Sequence, residues 1–134
     1  MSELKRYFEQ DRFAAGAGIE LVEVREGFAR ARLTVEDRHL NSAGVIQGGA
    51  VFTLADFAFA VACNTHGTLA LAVSTHIEFL RGARTGAVLT AEAREESCTR
   101  KISTCGIRVT DGDGNLVALF TGTAYRKGDP IPSL

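Results

Sequence analysis

Apolar and polar positions change rhythm several times along this chain, and the changes divide it into elements. Residues 3–14, ELKRYFEQDRFA, predict a short amphipathic helix broken by Gly16 and Gly18. From Ile19 the period drops to two. IELVEV and FARARLTV flank a turn signal at Glu26-Gly27, and Ala29, Ala31, Leu33 and Val35 alternate with Arg30, Arg32 and Thr34. Residues 36–49 are polar and irregular. Residues 50–64, AVFTLADFAFAVACN, are apolar on nearly every side, which predicts a helix buried all round, with Gly67 as its stop. Four strand-like runs follow: LALAVSTHIEFL, AVLTAEAREES, TRKISTCGIRVT and NLVALFTGTAYR. In the first, Leu71, Val73, Thr75, Ile77 and Phe79 read as one face, and Ala72, Ser74, His76 and Glu78 as the other. Asp111-Gly112-Asp113-Gly114 reads as a hairpin turn, and residues 127–134 as a frayed tail.

A helix buried all round among about six strands needs a sheet that wraps it. The pattern therefore predicts an α+β fold, a curled antiparallel sheet around one long central helix. Such a sheet has edges, and a second copy is a usual way to cover one. With 134 residues and no repeat or linker, the chain reads as a single domain over 1–134. A net charge of -1 provides no overall basic field, so nucleic acid and membrane are not expected partners. Cys63, Cys98 and Cys105 lack CxxC spacing and no signal peptide is evident, so they read as reduced thiols in a cytoplasmic protein. The longest apolar run is too short to span a bilayer.

His39-Leu40-Asn41, Gly48-Gly49, Leu54-Ala55-Asp56, Phe79-Leu80-Arg81, Phe120-Thr121-Gly122-Thr123 and Tyr125-Arg126 form a set. Together they resemble the hotdog fold and, within it, the PaaI-like acyl-CoA thioesterases of phenylacetic acid degradation. The resemblance runs from about residue 19 to 126. It implies hydrolysis of an acyl- or aryl-acyl-CoA thioester to free acid and CoA, no metal or redox cofactor, and a homodimer pairing into a homotetramer. The family usually has His before the Gly-Gly pair, where this chain has Gln47.

Glycine at a helix start lets a ligand approach backbone N–H groups at the positive end of the dipole. Gly48 and Gly49 are thus candidate oxyanion donors for a thioester carbonyl; the structural alternative is a tight turn into a crowded helix. Asp56 is the candidate nucleophile or general base, two roles that sequence does not separate; its alternative is a buried ion pair or a hydrogen bond to backbone. Gly49 and Asp56 are seven residues apart, so they share a helix face, about 10 Å apart along the axis. One reacting carbon cannot touch both ends of that span, so the geometry predicts a site shared between two antiparallel copies.

The resemblance implies that Asn41 helps position the thioester or water. Gln47 can donate to a carbonyl or hold a loop but cannot titrate near neutral pH. Ser74 or Thr75 can hydrogen-bond substrate, the alternative being ordinary strand hydroxyls. Arg81, Arg84, Arg100, Lys101 and Arg126 are candidates to meet CoA phosphates. His39, His66 and His76 lack metal-ligand spacing, and DGDGN is not a calcium loop, so no metal is assigned. Two further readings stand beside the hydrolase. One is a non-catalytic acyl-CoA-binding or regulatory module, which Gln47 keeps open. The other is a hotdog dehydratase or hydratase, which the lack of a His beside Gly48-Gly49 weakens.

Overall fold

The computed structural model describes residues 1–131. Its first helical stretch is two pieces, not one: α1 (Ser2–Glu9) and α2 (Arg12–Ala17). Asp11 divides them. Its carboxylate accepts from Ala14 N at 2.9 Å and starts a new helix, which runs through Gly16 and ends at Gly18 with φ 86°.

The strands are β1 (Ile19–Arg25), β2 (Phe28–Thr34), β3 (Thr68–Phe79), β4 (Val88–Cys98), β5 (Ile102–Thr110) and β6 (Leu116–Pro130). They form one antiparallel sheet in the order β1-β2-β4-β5-β6-β3. The central helix α3 (Gly48–Cys63) lies in its curve. The fold is the expected α+β hotdog arrangement. Small residues set the closeness of the layers. Ala29, Ala31, Ala91 and Ala93 are fully buried, leaving room for Leu54 and Phe59 of α3. At Gly122 of β6 an added Cβ would stand 2.7 Å from the Phe59 ring, so the ring seats only over glycine. Burying each such Leu or Phe contributes roughly 1.5–3 kcal/mol.

Four sequence readings are corrected. First, α3 starts two residues earlier than predicted and ends on Asn64, whose side chain bonds the Ala60 and Ala70 carbonyls; Gly67 serves the following turn at φ 86°. Second, β6 continues to Pro130, so 127–130 are strand and not tail, while 132–134 lie outside the described residues. Third, the register of β3 shifts between Ala72 and Ser74, where Val73 bulges. Directly opposed residues share a face. Thr75, Ile77 and Phe79 oppose Gly122, Phe120 and Ala118 on the α3 side, but beyond the bulge Ala72 takes that side and Leu71 leaves it. Fourth, α3 is not buried all round within one chain. Gly49 is exposed, and Thr53, Asp56 and Ala60 are half-buried in a stripe the sheet does not cover.

The hairpin turn at 111–114 forms as predicted. The Asp111 carboxylate accepts from Asp113 N and Asn115 N. Desolvation opposes its ionisation, but the Asn115 and Asp113 donors and the nearby Arg81 charge outweigh it and hold its pKa below the usual carboxylate range.

Candidate active site

The uncovered stripe of α3 holds two of the candidate groups, Gly49 and Asp56. Gly49, Thr53 and Asp56 follow one another at spacings of four and three, one helix face, and the Thr53 hydroxyl donates to Gly49 O at 2.7 Å. Asp56 is half-buried, and burial pushes its pKa up. A second negative charge, Asp11, pushes the same way, while no cation or hydrogen-bond donor pulls it down. The buried ion pair weighed as the alternative for Asp56 is therefore not formed among the described residues.

At the helix start, Gly48 packs against the Phe79 ring, which an added Cβ would meet at 3.2 Å. Glycine there suits the packing, and the Gly48 N–H stays a candidate donor beside that of Gly49. Gly49 is different: the residue nearest its missing Cβ is the flexible end of Gln47. Gln47 is the N-cap of α3, and its side-chain oxygen accepts the Gly49 N–H. An amide carbonyl oxygen thus sits where a thioester carbonyl oxygen would bind the same donor.

The loop before α3 is built by Asn41. Its Oδ1 accepts from Ala43 N at 2.9 Å and Val45 N at 3.3 Å. That leaves the Asn41 NH₂, on an exposed residue, free to donate outward. His39 is buried and structural: Nδ1 accepts from Glu36 N at 2.9 Å, and Nε2 donates to Ala17 O at 2.7 Å.

The remaining candidates separate. Thr75 faces the α3 side of β3 and Ser74 the opposite side, as strand alternation places them, so the two hydroxyls are not equivalent. Arg84 bonds Gly44 O at 3.3 Å and Arg81 lies 3.8 Å from Asp111; both belong to the segment that runs past Phe79 beside the α3 N-terminus. Arg100 and Lys101 lie at the other end, in the β4–β5 turn, where Arg126 N donates to Lys101 O at 2.7 Å. Arg126 itself is 5% exposed, so it is no surface phosphate ligand.

Arg126 belongs to a cluster that sequence spacing missed. The fold brings ligand atoms of His66, Glu95 and Cys98 within 4.8 Å of one another. Arg126 stands among them, its Nη2 at 3.2 Å from both Glu95 Oε2 and Cys98 Sγ, while His66 Nε2 pairs with Glu95 Oε1 at 2.6 Å. A fixed guanidinium thus already neutralises the carboxylate. His66, read as a helix-end residue, is tied to Glu95. Cys63 and Cys105 are buried and their thiols pushed up to about 12 by burial, whereas Cys98 is exposed. None of the described helices is long and apolar enough to cross a membrane.

A curled sheet around a helix whose open face presents a glycine donor and an unpaired acid is the frame of a hotdog thioesterase. The chain belongs to the Thioesterase superfamily, which it matches over residues 43–118. Acyl-coenzyme A thioesterase PaaI of Escherichia coli (strain K12) is 37% identical over 92% of this chain and 89% of its own. The solved structure of E. coli PaaI, from the phenylacetic acid degradation operon, matches with a TM-score of 0.94 over 98% of this chain and 95% of that one, at 35% identity. A Streptococcus mutans structure bound to acetyl CoA matches with a TM-score of 0.80 at 25% identity, covering 84% of this chain and 91% of that one.

Proposed function

We propose that this protein hydrolyses acyl-CoA thioesters, with Asp56 as general base or nucleophile and the α3 N-terminus as oxyanion donor. The observation that carries the reading is the open stripe itself. It holds a carboxyl with raised proton affinity and no structural partner, seven residues from a glycine N–H at the positive end of a helix. Charge develops on the carbonyl oxygen as the tetrahedral intermediate forms, and N–H donors held there stabilise it. Asp56 either attacks the carbonyl carbon, giving a mixed anhydride that water then cleaves to the free acid and the carboxylate, or removes a proton from attacking water; in both, CoA leaves as the thiolate and takes up a proton. The substrate oxygen takes the Gly49 N–H in place of Gln47 Oε1. Asn41 and Thr75 orient the acyl end or water, and Arg81, Arg84, Arg100 and Lys101 are the candidates to meet the CoA phosphates.

The two halves of such a site are about 10 Å apart along one helix, so a second copy supplies the missing half. Two further features support a homodimer. The β3 edge runs twelve residues with no proline or lysine to blunt it, and Leu71, Val73 and Phe79 are 49%, 65% and 55% exposed there. PaaI-like acyl groups, phenylacetyl among them, are the first to try as substrates. Pairing of dimers into a tetramer and a cytoplasmic location complete the proposal.

Free thiol released from a panel of acyl-CoA substrates, compared by kcat/KM, tests it. Turnover of at least one aryl- or aliphatic-acyl-CoA is expected. One observation favours a second reading, a binding module without chemistry: Gln47 occupies the donor that catalysis needs. Saturable CoA-ester binding without thiol release would establish that reading instead.

A further inference from the structure

A second group of reactive side chains lies away from the α3 stripe, where the β4–β5 turn meets the segment after α3. The three cysteines are chemically unequal. Cys63 and Cys105 are buried, and burial pushes both thiols up to about 12. Cys98, the last residue of β4, is exposed, and its Sγ accepts a hydrogen bond from Arg126 Nη2 at 3.2 Å. That guanidinium is 5% exposed and fixed: Nη1 donates to Thr99 O at 2.9 Å, and Nη2 also reaches Glu95 Oε2 at 3.2 Å. Its Nε has no hydrogen-bond partner among the described residues. A buried cation with an unmet donor thus presents its edge to an exposed sulfur. Glu95 is held in turn by His66 Nε2 at 2.6 Å and by the Ser103 hydroxyl. The atoms of His66, Glu95 and Cys98 are close enough to share a metal, but Arg126 donates to two of the three, so a guanidinium stands where a cation would bind.

We propose that Cys98 is a thiol modification site, a nucleophile positioned by Arg126 that forms mixed disulfides with small, negatively charged disulfides. The site is independent of the thioesterase reading. Exchange runs through the sulfur anion, and a fixed positive charge in contact with the sulfur favours it. Cys98 gives its proton to solvent and attacks one sulfur of a disulfide R–S–S–R. The Cys98–S–S–R bond forms, the R–S–S–R bond breaks, and R–S⁻ leaves and takes up a proton. Cys98 is oxidised and the departing R–S group reduced, so no further oxidant is needed. The charge around the turn selects the reagent. Arg100 and Lys101 are both exposed two and three residues beyond Cys98, with Lys101 Nζ 6.0 Å from the Tyr125 ring centroid. On the acidic side, Glu95 is already held by Arg126, His66 and Ser103; Glu26 lies 3.7 Å from His66 Nδ1; and Glu96 lies along Gly106 of β5. Two exposed cations beside the sulfur attract carboxylates or phosphates on the incoming disulfide.

Three disulfides test the site on the folded full chain at neutral pH: oxidised glutathione, which is anionic, hydroxyethyl disulfide, which is neutral, and cystamine, which is cationic. N-acetylcysteine amide serves as a neutral reference thiol. Intact-mass spectrometry should show one glutathione added per chain, peptide mapping should place it on Cys98, and Cys98→Ser should take up none. With the neutral disulfide, Cys98 should react about 5- to 30-fold faster than the reference. That factor should be larger for oxidised glutathione than for cystamine by about 3-fold or more, and 1 M salt should close the gap. Replacing Arg100 and Lys101 together by Gln should remove the preference for the anionic reagent and leave the neutral rate unchanged. Arg126→Gln should bring the neutral rate down to that of the reference, and Arg126→Lys, which keeps the charge, should restore part of it. If Arg126→Gln fails to fold because Glu95 loses its partner, the wild-type and Arg126→Lys rates decide. No adduct on Cys98, or a wild-type rate with the neutral disulfide no faster than the reference, would overturn the proposal. So would a folded Arg126→Gln protein that reacts as fast as wild type. Equal factors for the anionic and cationic reagents would overturn the choice of ligand.

Discussion

At the scale of single residues, Asp56 costs the fold stability once it ionises. Its folded pKa is raised above the unfolded value, so the folded state holds that proton more tightly. The stability this provides is complete below the ordinary carboxyl value and is lost as pH rises through the raised one. Asp56→Asn never ionises and escapes the loss. We therefore expect Asp56→Asn to be more stable than wild type at neutral pH, with the difference vanishing in acid, while activity falls at least ~100-fold. Thermal melts across pH and a thioester assay read the two effects; near-wild-type turnover would remove Asp56 from the mechanism. Gln47 offers a second case. Its oxygen caps α3 and covers the Gly49 N–H at once. His at that position, the residue usual in the family, can cap through one ring nitrogen, so Gln47→His is expected to fold and to keep or raise kcat/KM. A well-folded Gln47→His protein without activity would show that the amide does something His cannot.

At the scale of elements, alternation revealed most strands, because β2, β4, β5 and β6 each bury one face against α3 and expose the other. It failed where packing is lopsided. On β3 nearly every side chain from Leu71 to Phe79 is exposed, so nothing in the pattern marked the bulge at Val73 that reverses the faces. The open stripe of α3 was hidden for the opposite reason: Gly49 and Ala60 are as apolar as the buried positions beside them. What composition could show was one acid in an apolar run, and that was enough to single out Asp56. Asp11, Thr53 and the Glu95–Arg126 pair were invisible, since each draws its meaning from contacts across the fold or from hydrogen bonds to backbone. The register of β3 beyond the bulge makes a direct prediction. Thr75 shares the α3 side and Ser74 does not, so Thr75→Ala should lower kcat/KM about 3- to 10-fold, the worth of one hydrogen bond, and Ser74→Ala should leave it unchanged. Equal effects from both changes would mean that β3 is not read by its register.

At the scale of the whole molecule, one chain holds both chemical groups but does not bring them to one carbon. Gly49 and Asp56 face the same way on a rigid helix, so no side-chain movement closes the gap of about 10 Å between their turns. Two copies joined along β3 would lay their α3 helices side by side and antiparallel, cover the exposed Leu71 and Val73, and set Gly49 of one chain opposite Asp56 of the other. Complementation tests this arrangement. Asp56→Asn subunits lack the acid. Gly49→Val subunits lack close access to the helix N–H, and since Gly49 is exposed and the first added carbon meets only the movable end of Gln47, they should still fold. Each homodimer should be inactive. In a mixed dimer one site carries both lesions and the other carries neither, so about half of the wild-type activity per mixed dimer should return. Native mass spectrometry must first show that subunits have exchanged, because a stable dimer that never mixes would imitate a negative result. Recovery after proven exchange requires that the two halves come from different chains. No recovery after proven exchange would mean that each chain holds its own complete site, and the oxyanion donor for Asp56 would then have to be sought near the middle of α3, where Thr53 Oγ is the nearest hydroxyl on the same face.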